Sequence, residues 1–311
     1  MAGEIKVGLH IPAASDGPLP SKAQYIEFFR HAERLGFHGL WTEDRIFHNA
    51  NLLEPLTLLT LAASATERMV LGTAVLLLSM RNAPELARRL SSLDYLSGGR
   101  VELGISLGGR PGEYPGLGMQ QSERVPRLRE NMLVLRALLR GEPVSHEGRF
   151  YDLDDAVVRP AAVREGGIPL YMGGHVEPVL RRTGELADGW IGGPFTPPVG
   201  YEACWQSVLE HARSFGRDPE QLEAGKLIYV AVDDDRDRAL AALIPFLNAY
   251  YGPARDPKTF AVYGPAEEVA SKLQEFVDVG TRTFMLGVPS LDVEHLERIA
   301  ADVVPRLRET P

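Results

Sequence analysis

The sequence has little of what several classes of protein require. Among its 311 residues is a single cysteine, Cys204, which excludes an intrachain disulfide and a cysteine-based zinc site. The eight histidines show neither H-x-H nor H-E-x-x-H spacing, so we expect no catalytic metal. No apolar run approaches the roughly 20 residues that cross a bilayer, and we expect no membrane partner.

Positive charge is also scarce. Lys and Arg number 33 against 42 Asp and Glu, the formal net charge is −9, and no Lys/Arg-rich run is present. A nucleic-acid backbone would be repelled overall, so we expect a small-molecule partner and no nucleic acid. The stretch 1–11 lacks the basic start and apolar segment of a secretory signal, which favours a cytoplasmic protein.

The chain does have a regular alternation of β-rich runs and helical periodicity. This alternation predicts parallel βα units. Eight such units favour an α/β fold of the (β/α)8 (TIM) barrel type over an open doubly wound sheet, in one domain over 1–311. We expect inserted loops, a β-hairpin at 144–158 and a closing helix near 292–309. Strands are predicted at 5–11, 39–43, 69–79, 101–107, 168–172, 189–191, 226–232 and 283–288.

The active site of such a barrel is built from the loops that follow the strands' C-terminal ends. Position alone therefore selects His10, Glu43–Arg45, Ser79–Asn82, Ser106–Arg110, Gly173–His175 and Gly192–Gly193.

Gly173, Gly174 and His175 lie between an apolar strand and a helix predicted to begin near Pro178. Glycines there let backbone amides approach an anion at the helix N-terminus, where the helix dipole favours negative charge. A phosphate-bearing cofactor fits this turn, and so does a tight βα turn without a ligand.

Charged residues follow the second predicted strand. Asp44 either forms an ordinary ion pair with Arg45 at the barrel rim or hydrogen-bonds a cofactor or substrate while Arg45 binds an anion. His10 is a candidate general acid or base, although a lone histidine at a strand end is more often structural.

Several stretches together resemble the luciferase-like monooxygenase superfamily of flavin- and deazaflavin-dependent oxidoreductases. The resemblance runs from about residue 5 to 290, and the order and spacing of the pieces make it specific. They are LGFHGLW at 35–41 followed by Glu43-Asp44, VLGTAV at 70–75, RNAP at 81–84, LDYLSGGR at 93–100, ELGI at 102–105, ADGW at 187–190 and YGPAEEVA at 263–270.

The resemblance implies a homodimeric enzyme with a cofactor ring at the C-terminal mouth of the barrel. The cofactor is either reduced FMN, used with oxygen by monooxygenases, or the deazaflavin coenzyme F420, used in hydride transfer. Ala74-Val75 matches a non-prolyl cis peptide beside the ring, Asp44 matches an acidic position near the ring, and Gly173, Gly174 and His175 match the phosphate-side turn. Ser106 and Arg110 belong to a stretch that varies in the family, with Arg110 as the expected anion partner, and Trp190 is expected to flank the cofactor.

The chain departs from the family pattern at Arg45. Many relatives have histidine at this position, where it serves in proton transfer or ring contact. A guanidinium stays protonated at neutral pH and cannot act as a base. Either His10, His48 or another group replaces that histidine, or the reaction needs no protein base.

The sequence is also compatible with two other functions. Gly104–Gly108 matches G-x-S-x-G, which would make Ser106 a hydrolase nucleophile, but that motif requires a helix directly after the turn, and the glycines and prolines at 109–116 predict none. The second alternative is a non-catalytic barrel that binds a cofactor or other ligand, which the missing histidine at Arg45 allows. Substrate selection is expected from the loops 108–122 and 251–263, which could act as a lid.

Overall fold

The computed structural model of the protein describes residues 4–110 and 112–308. The strands are β1 Lys6–His10, β2 Ala14–Ser15, β3 Gly39–Thr42, β4 Asn51–Leu52, β5 Val70–Leu77, β6 Val101–Ser106, β7 Val144–Glu147, β8 Asp152–Ala156, β9 Leu170–Gly173, β10 Gly189–Gly192, β11 Glu223–Val232, β12 Val262–Gly264 and β13 Thr283–Gly287. The α-helices are α1 Lys22–Arg34, α2 Pro55–Ala65, α3 Ala83–Ser97, α4 Glu113–Gly116, α5 Arg124–Leu138, α6 Glu177–Leu186, α7 Pro198–Ser214, α8 Arg236–Tyr251, α9 Ala266–Asp278 and α10 Val293–Arg298.

Eight parallel strands form a closed barrel surrounded by helices. They are paired in the order β10-β9-β6-β5-β3-β1-β13-β11, and β10 also pairs with β11, which closes the sheet. The predicted (β/α)8 barrel is confirmed, and each of the eight predicted strands overlaps one of these. After each barrel strand, a helix carries the chain back to the other end of the sheet, so that the next strand runs parallel to the last. The carboxyl ends of all eight strands therefore lie at the same mouth of the barrel.

The caps of the helices follow from local sequence. Ser21 begins α1 with a capping box, its hydroxyl oxygen accepting from the Gln24 amide while the Gln24 side chain accepts from the Ser21 amide. Asn82 caps α3, and Gly98, with φ of 72°, ends it in the left-handed conformation that favours glycine.

Bulky side chains fill the inside of the barrel, and Trp41 is the largest of them. A Cβ atom at Gly8 or Gly72 would lie 2.2 Å from the Trp41 ring, so both positions require glycine. Trp41 packs in one interior cluster with Val70, Ala74, Tyr171, Ile191, Leu227 and Met285. The barrel is therefore closed on the inside below its carboxyl-terminal mouth.

Some elements differ from the sequence predictions. The predicted hairpin is present as the antiparallel pair β7–β8, but the small antiparallel pair β2–β4 and the short strand β12 were not predicted. The closing helix predicted at 292–309 is wrong as one helix: α10 ends at Arg298, a π-helical turn spans 299–303 and a 3-10 turn spans 304–306. Pro305 lacks the amide that an α-helix needs there, and position 309 lies outside the described residues.

Within the two described ranges, no helix is both long enough and apolar enough to cross a membrane.

Candidate active site

A cavity of about 550 Å³ opens at the carboxyl ends of the barrel strands. Its floor is apolar and its rim carries glycines, two arginines and aromatic side chains. The lining residues are Asp44, Arg45, Ala74, Val75, Leu77, Ser106, Leu107, Gly108, Gly109, Arg110, Leu128, Met172, Gly173, Gly174, His175, Val179, Ile191, Gly193, Pro194, Phe195, Leu227, Tyr250 and Tyr251. An apolar pocket with a few polar groups on its rim is the usual form of a cofactor or substrate site.

The floor of the cavity is formed in part by Ala74 and Val75 on β5. Their peptide bond is cis, as the family resemblance implies. The pairing of β5 with β6 shifts register between Thr73 and Leu76, and the Thr73 hydroxyl donates to the Gly104 carbonyl at 2.8 Å. Val75 is only half-buried, so its side chain faces the space that a ligand would fill.

One side of the rim is the turn between β9 and α6. Gly174 has φ of 135°, a conformation that glycine adopts readily, and its carbonyl accepts a hydrogen bond of 2.6 Å from Nε1 of Trp190. The N-cap of α6 is Val176, which offers no side-chain acceptor to the first amides of that helix. A helix N-terminus suits a phosphate, but in α6 Pro178 has no amide and the Val179 amide donates to the Val176 carbonyl, so the donors to a phosphate would come mainly from the preceding turn.

Glycines also leave the rim open. A Cβ atom at Gly109 or Gly193 would meet no heavy atom within 4 Å, so a side chain at either position would project into unoccupied space beside the cavity. The donor set and this open space together fit a planar ring that carries a phosphate.

Asp44 is buried and its carboxylate has fixed partners. Nη2 of Arg81 donates to both carboxylate oxygens at 2.7 Å, and the Leu77 amide donates to Oδ2 at 3.0 Å. Of the two alternatives for this cluster, an ordinary ion pair between Asp44 and Arg45 is not formed among the described residues, and Asp44 pairs with Arg81 instead. Asp44 holds the carboxyl end of β5, the strand that carries the floor.

Arg45 and Arg110 both line the cavity and both contact Tyr250. The Arg45 guanidinium lies 5.6 Å from the centre of the Tyr250 ring, and Nη2 of Arg110 donates to the Tyr250 carbonyl at 3.2 Å. The sequence predicted both arginines as site residues, but it did not predict Tyr250, which both of them contact.

His10 lies below the cavity, not in its lining. Its Nε2 is 3.1 Å from Oε2 of Glu43, and both side chains are buried. Burial lowers the pKa of His10 to about 3 and raises the pKa of Glu43 to about 8, so both groups are neutral at pH 7. The His10 ring packs edge-on against Tyr229, whose hydroxyl lies 2.9 Å from that of Tyr251 in the lining.

Other candidate residues divide into lining and supporting positions. Ser106 lines the cavity, but residues 107–110 after it form no helix, so the nucleophile elbow of a hydrolase is absent from this described segment. Trp190, expected to flank the cofactor, is not among the lining residues: it is buried against Tyr201 with ring centres 4.8 Å apart, and its Nε1 donates to the Gly174 carbonyl of the rim.

Three residues that shape the mouth were not selected from the sequence, namely Phe195, Lys226 and Tyr250, whereas Tyr251 begins the segment 251–263 that was expected to act in substrate selection. Phe195 and Tyr251 pack edge to face, with ring centres 5.2 Å apart, over one side of the cavity. Lys226, buried in β11, donates from Nζ to the carbonyls of Gly193 at 2.6 Å and Thr196 at 2.7 Å, and so fixes the loop that carries Phe195. A lysine inside an otherwise apolar strand was the one signal that could have predicted this role.

Comparisons with known proteins agree on one family. The sequence pattern of the luciferase-like monooxygenases matches residues 5–257. The chain is 27% identical to an F420-dependent glucose-6-phosphate dehydrogenase of Nakamurella multipartita, over 98% of this chain and 97% of that one.

Two solved structures share the fold. One is an F420-dependent secondary alcohol dehydrogenase in complex with an F420–acetone adduct, with a TM-score of 0.85, 22% identity, and coverage of 99% of this chain and 100% of that one. The other is the oxygenating constituent of 3,6-diketocamphane monooxygenase from the CAM plasmid of Pseudomonas putida in complex with FMN, with a TM-score of 0.80, 18% identity, and coverage of 99% and 100%.

Proposed function

The chain belongs to the luciferase-like monooxygenase family, and from that premise we propose that it is an oxidoreductase that binds FMN or coenzyme F420 at the mouth of its barrel and acts on a small organic substrate. The observation that carries the proposal is the cavity of about 550 Å³, whose apolar floor and glycine rim lie at the carboxyl ends of the strands. The bound cofactor supplies the redox chemistry, by hydride transfer or reaction with oxygen.

Different parts of the cavity would hold different parts of the cofactor. Ala74 and Val75 offer an apolar surface to the ring, and Gly173, Gly174 and His175 offer amides to the phosphate beside the N-terminus of α6. Proteins that bind planar cofactors commonly combine an apolar surface for the ring with backbone donors for the phosphate.

Several side chains would act by holding these surfaces in place. Asp44, paired with Arg81, fixes the end of β5, and Trp190 fixes the Gly174 carbonyl. Phe195 and Tyr251 would exclude water from the reacting centre, which strengthens electrostatic interactions inside it.

Proton transfer would require a side chain other than Arg45. A buried neutral His10 with a pKa of about 3 is a weak base, and it lies outside the lining. Among the described lining residues, His175 is the only imidazole and Asp44 is the only carboxylate. We therefore assign Asp44 a positioning role and Arg45 a binding role, and His175 is the candidate proton carrier for a substrate that needs one.

Titration of the purified apo-protein with FMN and with F420 tests this function, with cofactor fluorescence as the readout. We expect saturable 1:1 binding of one of the two. Gly193→Leu should abolish this binding because its side chain would enter the open space beside the cavity, whereas Gly166→Leu is a matched control that also meets no heavy atom within 4 Å but lies outside the lining. Binding of neither cofactor, or equal binding by Gly193→Leu, would contradict the proposal.

The two alternative functions predict other results. A non-catalytic barrel would bind cofactor without consuming it in any substrate screen, whereas the enzyme consumes it with at least one substrate. A serine hydrolase would be labelled at Ser106 by a phosphonate, and we expect no labelling.

We also propose a single domain over 1–311, a homodimer and a cytoplasmic location. Support for one domain is the continuous core, which runs from Val7 to Leu307. The free thiol of Cys204 is compatible with a reducing compartment. The homodimer rests on the family, and light scattering during size-exclusion chromatography tests it by giving a mass of about twice 34.2 kDa.

A further inference from the structure

Two arginines at the cavity mouth lack a carboxylate to neutralise them. No described carboxylate lies within ion-pair distance of Arg45 or Arg110, whereas Asp44, the residue before Arg45, is paired with Arg81. Nε of Arg45 is buried and has no hydrogen-bond partner among the described residues. A buried donor without an acceptor costs free energy, so this position favours a ligand that supplies one.

The acidic residues nearby are engaged in other ways. The Asp44 carboxylate is occupied by Arg81, and Glu43 is protonated at pH 7 because burial raises its pKa to about 8. Oε2 of Glu113 accepts from the backbone amide of Arg110 at 3.3 Å and does not form an ion pair with its guanidinium. The local charge is therefore positive.

Tyr250 brings the two arginines together. Its ring lies beside the Arg45 guanidinium and its carbonyl accepts from Arg110, as described above. Burial and then the charge of Arg45 lower the pKa of Arg110, while Tyr250, Glu113 and Tyr251 act in the opposite direction. An anion placed between the two arginines would offset the effect of Arg45 and accept hydrogen bonds from both guanidinium groups.

We propose that Arg45 and Arg110 form an anion subsite that binds a carboxylate or phosphate group of the substrate. The subsite deepens the function proposed above and rests on it. In the barrel order, β5 and β6 separate β3, which precedes Arg45, from β9, which precedes the Gly173–His175 turn. Arg110 follows β6, the neighbour of β9, but its guanidinium donates to the Tyr250 carbonyl on the side of Arg45. The cofactor phosphate has donors at that turn, so the arginines are left for a second anion, and the substrate is the remaining source.

The test uses cofactor-loaded protein, in which the turn is already filled. Inorganic phosphate and acetate are titrated separately at constant ionic strength, with the spectrum of the bound cofactor as the readout. We expect saturable binding of at least one anion. Arg45→Met and Arg110→Met should each weaken it about 10-fold to 100-fold, the usual effect of losing a charge-assisted hydrogen bond. Arg45→Lys should retain more affinity than Arg45→Met because it keeps the charge.

Controls separate the subsite from folding and from the cofactor. Arg30→Met, on the exposed surface of α1, should bind the anion like the wild type. Circular dichroism and the melting temperature report whether each variant folds. Cofactor affinity of Arg45→Met and Arg110→Met should stay within about 3-fold of the wild type, since the proposal assigns the cofactor anion to other donors.

Three results decide the matter. Absence of anion binding to the loaded wild type overturns the subsite, and so does a 10-fold or greater loss of cofactor affinity in the two Met variants, which would assign the arginines to the cofactor. If neither cofactor binds the wild type, the proposed function fails, and titration of the apo-protein with phosphate then tests the arginine pair alone. Phosphate binding that is weakened by Arg45→Met and Arg110→Met supports the anion subsite, and phosphate binding that neither substitution changes overturns it.

Discussion

Replacement of Lys226 by Met tests how the loop over the cavity is held. Lys226 lies in the apolar strand β11, fully buried, with its ammonium 4.6 Å from the centre of the Phe276 ring and hydrogen-bonded to the carbonyls of Gly193 and Thr196. Burial lowers its pKa from 10.5 to about 7. The buried charge therefore destabilises the folded state at low pH, while the two hydrogen bonds hold the loop.

The sign of the pH dependence follows from proton counts. Between about pH 7 and 10.5 the unfolded chain carries a proton on Lys226 that the folded chain lacks, so the free energy of unfolding rises with pH. Each pH unit adds up to about 1.4 kcal/mol, and the whole window adds about 5 kcal/mol. Below pH 7 both states are protonated and this contribution is constant.

Urea unfolding at pH 6, 7, 8, 9 and 10 measures the pH dependence of the free energy of unfolding for the wild type, Lys226→Met and the exposed control Lys272→Met. The wild-type stability minus that of Lys226→Met should rise through the window, whereas the difference from Lys272→Met should stay flat. Lys226→Met should also bind cofactor several-fold more weakly, because the loop that carries Phe195 loses both hydrogen bonds. A difference that is flat or falls with pH would refute the reasoning about the buried amine.

Two other substitutions test further parts of the site. Glu43→Gln removes a carboxyl group whose pKa is raised by burial from 4.5 to about 8, so that between these values the folded protein keeps a proton that the unfolded chain releases. The free energy of unfolding of the wild type, relative to that of the variant, should therefore fall by up to about 1.4 kcal/mol per pH unit from pH 5 to 8. A constant difference in urea unfolding would contradict the burial of Glu43 against His10. Trp190→Phe keeps a ring but removes the donor to the Gly174 carbonyl, which should cost about 1 kcal/mol of stability and weaken cofactor binding in a fluorescence titration; unchanged affinity would show that this turn does not hold the cofactor.

Local sequence patterns predicted the barrel because each strand and helix has its own signal. The apolar run over β5 and the Pro84–Gly98 span of α3 can be recognised without knowledge of distant residues. The π-helical turn at 299–303 could not, since it depends on packing as well as on Pro305. The two-residue strands β2 and β4 have no periodicity to detect.

The position of the cavity could also be predicted, but not the partners of its charges. Strand ends selected Arg45, Arg110 and the Gly173–His175 turn as candidates, and these residues line the cavity. The pairing of Asp44 with Arg81 joins residues 37 positions apart, and the adjacent Arg45 was the more obvious partner by sequence alone. Contacts that join separate βα units, such as this one between the ends of the paired strands β3 and β5, depend on strand pairing and side-chain packing, which no local pattern encodes.

Arg45 is the position at which the site departs from the pattern implied by the family resemblance, and this departure affects what the site can bind. At the position where the family resemblance implies histidine, this chain places a permanent cation beside Tyr250. A permanent cation binds and orients an anion but moves no proton. We therefore expect the reaction rate to depend on a negative group in the substrate.

A crystal structure of the protein soaked with whichever cofactor it binds tests the central claim most directly. The account predicts density for the ring against Ala74 and Val75, and a phosphate within hydrogen-bond distance of the Gly174 or His175 amide. Density for the cofactor anywhere else on the molecule, or a mouth whose side chains exclude the ring, would contradict it.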